Sequence, residues 1–361
     1  MDLMHMTSNT LTHDFFGSNH WSVFTADEET RNIIDCSLSS VTSYHPLHKA
    51  DVECGYLVNP LLYGNFLSFL NEKTINSLHT VEAEIGSRTV QYGRVAELLQ
   101  EKISDLQQLE ETAMYDTIAS ITQAHLAHCA YTQAKTQGLL RKPAAFPGIN
   151  GQQSAGVQKV VAWQQFASLL SPSISQVVEF AKRIPSFQEL HQDDQLLCIK
   201  LGFFEVWLVH ASRLSNEAGL TFADGTCVSR QHLEIMFDRE FVTMVFNFVC
   251  WFNNLRLSDC VIGLYAAAVL VSAERDGLYD HKALQPLQEQ VLEALRQKVA
   301  EEHQSEPHVF PALVAKLREL HLVGRNHLEH LRWFRTNWMH LRLSPLFAEV
   351  FDIPRHDAAQ R

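Results

Sequence analysis

Several things are missing from this 361-residue sequence. Its seven cysteines, Cys36, Cys54, Cys129, Cys198, Cys227, Cys250 and Cys260, include no CxxC pair, which excludes zinc fingers and thioredoxin-type sites built on that spacing. An odd, scattered set reads as buried or free thiols in a reducing compartment. Positive charge is not in excess either: the formal net charge is -12, so there is no overall basic footprint for nucleic acid or an anionic membrane. No apolar stretch reaches the roughly 18 residues of a membrane span. The N-terminus, "MDLMHMTSNTLTHDFFGSNHW", lacks the basic stretch and apolar core of a signal peptide. The expectation is an intracellular soluble protein without membrane contact. HExxH, GxSxG, P-loop and dinucleotide fingerprints are missing too, which argues against an enzyme.

What is present is mainly helical pattern. Residues 1–93 mix Ser, Thr, Asn and His with short apolar islands such as "LLYGNFLSFL" and sustain no period, so this region is expected to be poorly ordered. Within it, Phe66, Phe69 and Leu70 share the spacing of a groove-binding helix, so the tail could compete for a groove in its own chain. From Val95, "VAELLQEKISDLQQLEE" repeats apolar residues on one helical face, giving a hinge helix over 94–111. A second helix is read through "MYDTIASITQAHLAHCAYTQAK", then a Pro- and Gly-rich loop, "GLLRKPAAFPGINGQQSAG". Beyond Val157 the pattern is helical except at "LTFADGTCV", where Asp224-Gly225 signals a β-hairpin. Leu196–Ser212 and Cys260–Ser272 are apolar on every side, whereas "LQPLQEQVLEALRQKVAEEH" keeps a wet face. Covered helices with amphipathic ones outside them imply a layered all-α domain with one small hairpin over 112–354, followed by a tail at 355–361.

The densest signal is "FAKRIPSFQELHQDDQLLCIK", Phe180 to Lys200. A helix should end near Pro185 and another begin at Asp193 and Asp194, with Lys182 and Lys200 at either end of the segment. This stretch resembles the signature of nuclear-receptor ligand-binding domains: Phe180, Ala181, Lys182, Ile184, Pro185, Phe187, Leu190, Asp194, Gln195 and Lys200 fall in place. Cys198 and Ile199 stand where leucines are usual. "GFFEVWLVHASRL" and "LSDCVIGLYAAAVLVSAERDGL" resemble the subgroup of Rev-Erb, the retinoic-acid-related orphan receptors and the ecdysone-induced early-gene receptors. The resemblance implies a three-layer antiparallel helical sandwich and a transcription regulator acting in the nucleus, with the cytoplasm as a second location.

It also gives a role to the C-terminal "SPLFAEVF". Ser344 can N-cap a helix with Pro345 in its first turn. Leu346, Phe347, Val350 and Phe351 then form an apolar face, with Glu349 at its rim. The resemblance implies that this helix completes a groove for coactivator or corepressor helices of the LxxLL type. Lys182, Gln195 and Lys200 join Leu346, Phe347, Glu349 and Val350 as its expected residues. A retained Glu349 implies capacity to activate.

The expected interior is rich in aromatic rings, Phe203, Phe204, Trp207, Phe241, Phe246, Phe248 and Phe252, with Met244 among them. These either stack against a small lipophilic ligand or fill the space it would need. Phe203, Phe204, Trp207, Met244, Phe248 and His327 are the candidate pocket residues. Relatives of the Rev-Erb type bind haem through a histidine, and His327 in "GRNHLEHLRWF" takes the matching position. Their second ligand is a cysteine in the loop before the helix near Val157, and that loop has none here. Haem therefore stands as a candidate without a complete ligand set, and His327 with His330 is a weaker zinc pair. Full-length receptors carry two four-cysteine zinc fingers ahead of this domain, and only Cys36 and Cys54 precede it here. "IGSRTVQYGRV" resembles the segment that follows the second finger. The expectation is a form that does not read DNA directly and that pairs, as a homodimer or with another receptor, through "HLEHLRWFRTNWMHLRL".

Overall fold

The computed structural model describes residues 92–146 and 154–354. The readings made for residues 1–91, including the Phe66 island and the lone Cys36 and Cys54, and for the tail at 355–361, lie outside the described residues. The chain divides into two compact units, Met1–Ala113 and Met114–Arg361.

Helix α1, Tyr92–His128, runs unbroken, where the sequence reading had a hinge helix and then a separate one. A single turn, α2 (Gln133–Thr136), follows. Lys135 closes the end of α1 by donating to the carbonyls of Leu126, Ala127 and Cys129 at 2.7–3.1 Å, the arrangement a helix C-terminus favours. The Pro- and Gly-rich stretch contributes a short strand, β1 (Lys142–Pro143), that the sequence reading did not foresee. It pairs in parallel with β3 (Thr226–Ser229), and β3 pairs antiparallel with β2 (Gly219–Thr221). The turn between β2 and β3 is the expected one, with Gly225 at φ 85° and the Asp224 carboxylate accepting from the backbone N–H and hydroxyl of Thr226.

The remaining helices form three layers. They are α3 (Ala155–Ala181), α4 (Gln192–Ser212), α5 (Arg230–Met236), α6 (Arg239–Asn254), α7 (Asp259–Leu270), α8 (His281–Glu302), α9 (Val309–Asn337) and α10 (Pro345–Val350). Helix α4 packs on α3, α6, α7 and α9, and α7 packs also on α8. These contacts explain why both are apolar all round: α4 and α7 form the middle layer and have little wet face to offer. By length and composition α4 is apolar enough to cross a membrane, but its side chains are buried within the domain. On α8 the predicted face is the buried one: Leu284, Leu287, Val291, Leu295 and Val299 all point inward.

Local chemistry fixes the helix starts. Asp238, Ser258 and Asp280 cap α6, α7 and α8 by accepting from backbone N–H groups of the first turn. Asp194, buried in the first turn of α4, accepts from the N–H groups of Tyr279 and Asp280 at 2.6 and 3.0 Å, which fastens the loop ahead of α8 to the middle layer.

Candidate functional site

The site is built where the end of α3, the start of α4 and the C-terminal segment meet. Lys182 is the C-cap of α3, where a cation faces the negative end of the helix; its Nζ pairs with Glu179 Oε1 one turn back, at 3.0 Å. Gln188 donates to the Lys182 carbonyl at 2.7 Å and so closes the turn that follows. Gln195, expected in the groove, is buried and donates to the carbonyls of Gln188 and Leu190 at 3.1 and 2.8 Å. It braces the α3–α4 turn from beneath and does not line a wall.

Helix α10 folds back against α3. Ser344 caps it, accepting from the Phe347 N–H at 3.2 Å, and its hydroxyl lies 2.9 Å from that of Ser171 on α3. Gln164 of α3 also holds the segment leading into it, through the backbone of Arg342. Phe347, Ala348, Val350, Phe351 and Ile353 are buried. Leu346, expected on the same inward face, is only half-buried, as is Glu349. Phe347 meets Phe334 of α9 with ring centroids 5.6 Å apart, and Phe351 meets Phe203 of α4 at 5.8 Å and His327 at 6.1 Å.

The carboxyl end of this segment has partners that the sequence did not announce. Arg335 of α9 donates to the carbonyls of Phe351 and Asp352 at 2.9 and 3.3 Å. Lys200, expected only as a groove wall, forms an ion pair with Asp352. Because both partners are partly exposed, that pair contributes at most about 1 kcal/mol. Burying two phenylalanine rings contributes roughly 1.5–3 kcal/mol each. The rings hold α10 in place, and the charges fix its register.

The expected pocket residues fall into more than one group. Phe204 lies flat on the His327 ring, 3.9 Å between centroids and 8° between planes, with Trp207 and Phe241 within 6 Å of it. Phe203 turns toward Phe351. Phe248 belongs to a different stack, with Phe252 and then Tyr265, and Met244 is half-buried with its sulfur 4.0 Å from Asn326 Nδ2. These placements correct the single pocket read from the sequence. The space left among Phe166, Phe204, Phe237 and Phe241 is about 10 Å³, no more than one water fills. Around this space the aromatic residues fill the interior.

Haem does not fit this interior. His327 is buried with both ring nitrogens lacking a hydrogen-bond partner, and burial, with His330 nearby, lowers its pKa to about 3. One nitrogen ligand is thus available, but rings occupy the volume of a porphyrin, and no cysteine stands in the loop that would supply the second ligand. Nor do His327 and His330 converge as a zinc pair, because His330 is engaged with Asp238 at 3.0 Å while His327 is stacked on Phe204. Along α9, Leu331 and Phe334 point inward, whereas Trp333 is half-buried, stacked on Trp163 at 6.2 Å. The face expected for pairing is therefore partly core.

Comparison with known proteins agrees with this architecture. Residues 152–337 match the family model described as the ligand-binding domain of nuclear hormone receptor. Ecdysone-induced protein 78C of Drosophila melanogaster is 46% identical over 254 residues, covering 68% of this chain and 30% of its own length. Nuclear receptor subfamily 1 group D member 2 of Rattus norvegicus is 36% identical over 177 residues, 48% of this chain and 31% of its own. Nuclear receptor ROR-alpha B of Danio rerio is 30% identical over 236 residues, 64% of this chain and 49% of its own. The chain thus spans between 30% and 49% of the length of these relatives. The family is one of non-enzymatic transcription regulators. By its signature, its layered helices and this match, the chain belongs to the family of nuclear hormone receptor ligand-binding domains.

Proposed function

We propose that this domain regulates transcription in the nucleus by receiving amphipathic coregulator helices of the LxxLL type in a groove between α3, α4 and α10. On this reading its activity runs through protein contacts, not through base recognition by these 361 residues. The observation that supports it is the back-folded α10, seated on Phe334, Phe203 and His327 and tied at its end by Arg335 and Lys200. A short visiting helix has free N–H groups at its start and free C=O groups at its end. Glu349, half-buried on α10, accepts from the former; Lys182, at the end of α3, turns from Glu179 and donates to the latter, each with the favourable sign for the visitor's dipole. Side chains already support α10, so the groove forms without a lipophilic ligand. Pairing with a second receptor is assigned to residues 327–343, at and just beyond the end of α9, where Met339 is an exposed apolar residue.

A fluorescent LxxLL peptide tests this. The Lys182→Ala, Glu349→Ala double variant is expected to bind at least about tenfold more weakly, the equivalent of roughly 1.4 kcal/mol. Equal binding by variant and wild type would remove the proposed contacts.

A further inference from the structure

Away from the groove, the structure brings three metal-ligating side chains together inside the protein. His125 and Cys129 lie one turn apart at the end of α1, and His210 lies on α4. One ligand atom from each falls within 4.8 Å of the other two. All three residues are buried, two of them almost completely. The extremes of the set, His125 and His210, are 85 residues apart in the sequence, so only the packing of α1 on the middle layer reveals the set.

Three observations point to a ligand and away from ordinary core packing. Both ring nitrogens of His125 and Nε2 of His210 are buried without a hydrogen bond, the nearest acceptor to His125 Nε2 being Asp259 Oδ1 at 3.8 Å, a state that is rare for buried polar atoms and costs stability. The two imidazole rings stand 5.0 Å apart between centroids, while Cys129 Sγ accepts from the Tyr131 N–H at 3.3 Å, a contact that would stabilise a thiolate. Cys129 and His210 also border a cavity of about 10 Å³ shared with His128, Ser173 and Gln176, enough for one water. Room for His125 itself comes from Gly263 on α7, where an added Cβ would lie 2.8 Å from the His125 Cβ.

We propose that His125, Cys129 and His210 bind a zinc ion that ties α1 to the middle layer, with a water in the adjoining cavity as fourth ligand. Two imidazoles and a thiolate suit zinc better than magnesium or calcium, which prefer oxygen. Bonds of about 2.0–2.1 Å to nitrogen and 2.3 Å to sulfur put tetrahedral donors roughly 3.3–3.6 Å apart, so the three side chains close by about 1 Å through rotamer adjustment. Burial pushes the Cys129 thiol up to about 12. It is protonated in the metal-free protein, and coordination replaces that proton, which leaves to solvent as the zinc–sulfur bond forms.

Cobalt(II), added to the full chain carrying Cys36→Ser and Cys54→Ser so that the other N-terminal thiols are removed, serves as the spectroscopic probe. One equivalent is expected to give a thiolate-to-cobalt charge-transfer band in the near ultraviolet, abolished in Cys129→Ser and reduced at least tenfold in apparent affinity in His210→Gln. Zinc is expected to displace the cobalt and raise the melting temperature. No such band in the folded protein, or a band of full intensity in Cys129→Ser, would overturn the site. If the Cys129 and His210 variants do not fold, X-ray absorption of the zinc-loaded parent decides. A shell of one sulfur and light N/O donors supports the assignment; a shell without sulfur, or with several, contradicts it.

Discussion

At the scale of single residues, one buried charge carries much of the risk in this fold. Glu205 lies in the middle of α4, where burial pushes its carboxyl up, yet the Arg275 guanidinium and His321 beside it hold it below the usual carboxylate range. Arg275 grips it at 2.8 and 3.2 Å, donates also to the Val269 carbonyl, and His321 sits 2.8 Å away. Removing one partner strands the other in the core, so Arg275→Leu is expected to cost about 3–5 kcal/mol in denaturant unfolding. A loss within 1 kcal/mol would show that the pair is solvated. The folded pKa of Glu205 is lowered, so its contribution is present above the ordinary carboxylate pKa and is lost as the pH falls through the folded value.

His327 acts in a higher pH window. Its folded pKa of about 3 lies below the ordinary 6.5, so between those values the unfolded chain binds a proton that the folded one refuses. Stability therefore falls on acidification by about 1.4 kcal/mol per pH unit for this proton. His327→Phe, which keeps a ring against Phe204, is expected to lose less melting temperature than the wild type between pH 6.5 and 5. Parallel curves would contradict the burial of a neutral imidazole. The identity of His327 was visible in the sequence, but its stacking was not, since the same ring could as well have faced a ligand.

At the scale of elements, α10 is short enough that its ends decide whether it stays. Ser344→Ala removes a cap worth about 1 kcal/mol, and Asp352→Ala releases Lys200. Both variants are expected to weaken LxxLL binding severalfold and to speed proteolysis after residue 343. Unchanged proteolysis would mean that the buried rings alone hold α10. The helix was legible from Ser344, Pro345 and its apolar spacing. Its anchors were not, because Lys200 and Asp352 are 152 residues apart and neither has a pattern that names the other. The buried middle helices α4 and α7 were equally legible, as no other placement suits a helix apolar on every side. Helix α1 was misread as two because its apolar period pauses at Glu110, Glu111 and Thr112, though none of these breaks a helix. Strand β1 is two exposed residues, too short for any alternation to show.

At the scale of the whole molecule, the family signature in the sequence and the three-layer packing lead to one fold, while the interior had to be seen. Composition counted the aromatic residues but could not distinguish a lining from a filling. Ring separations as short as 3.9 Å, around a space of about 10 Å³, favour the filling. It follows that the terminal helix rests on the protein's own rings, and that the groove proposed beside it would need no small molecule to form. The most direct measurement is LxxLL-peptide binding by protein refolded from denaturant without lipid, compared with the same protein ending at residue 343. Saturable binding by the first and at least tenfold weaker binding by the second is the predicted result; binding only after a lipophilic ligand is added, or equal binding by both, would contradict it.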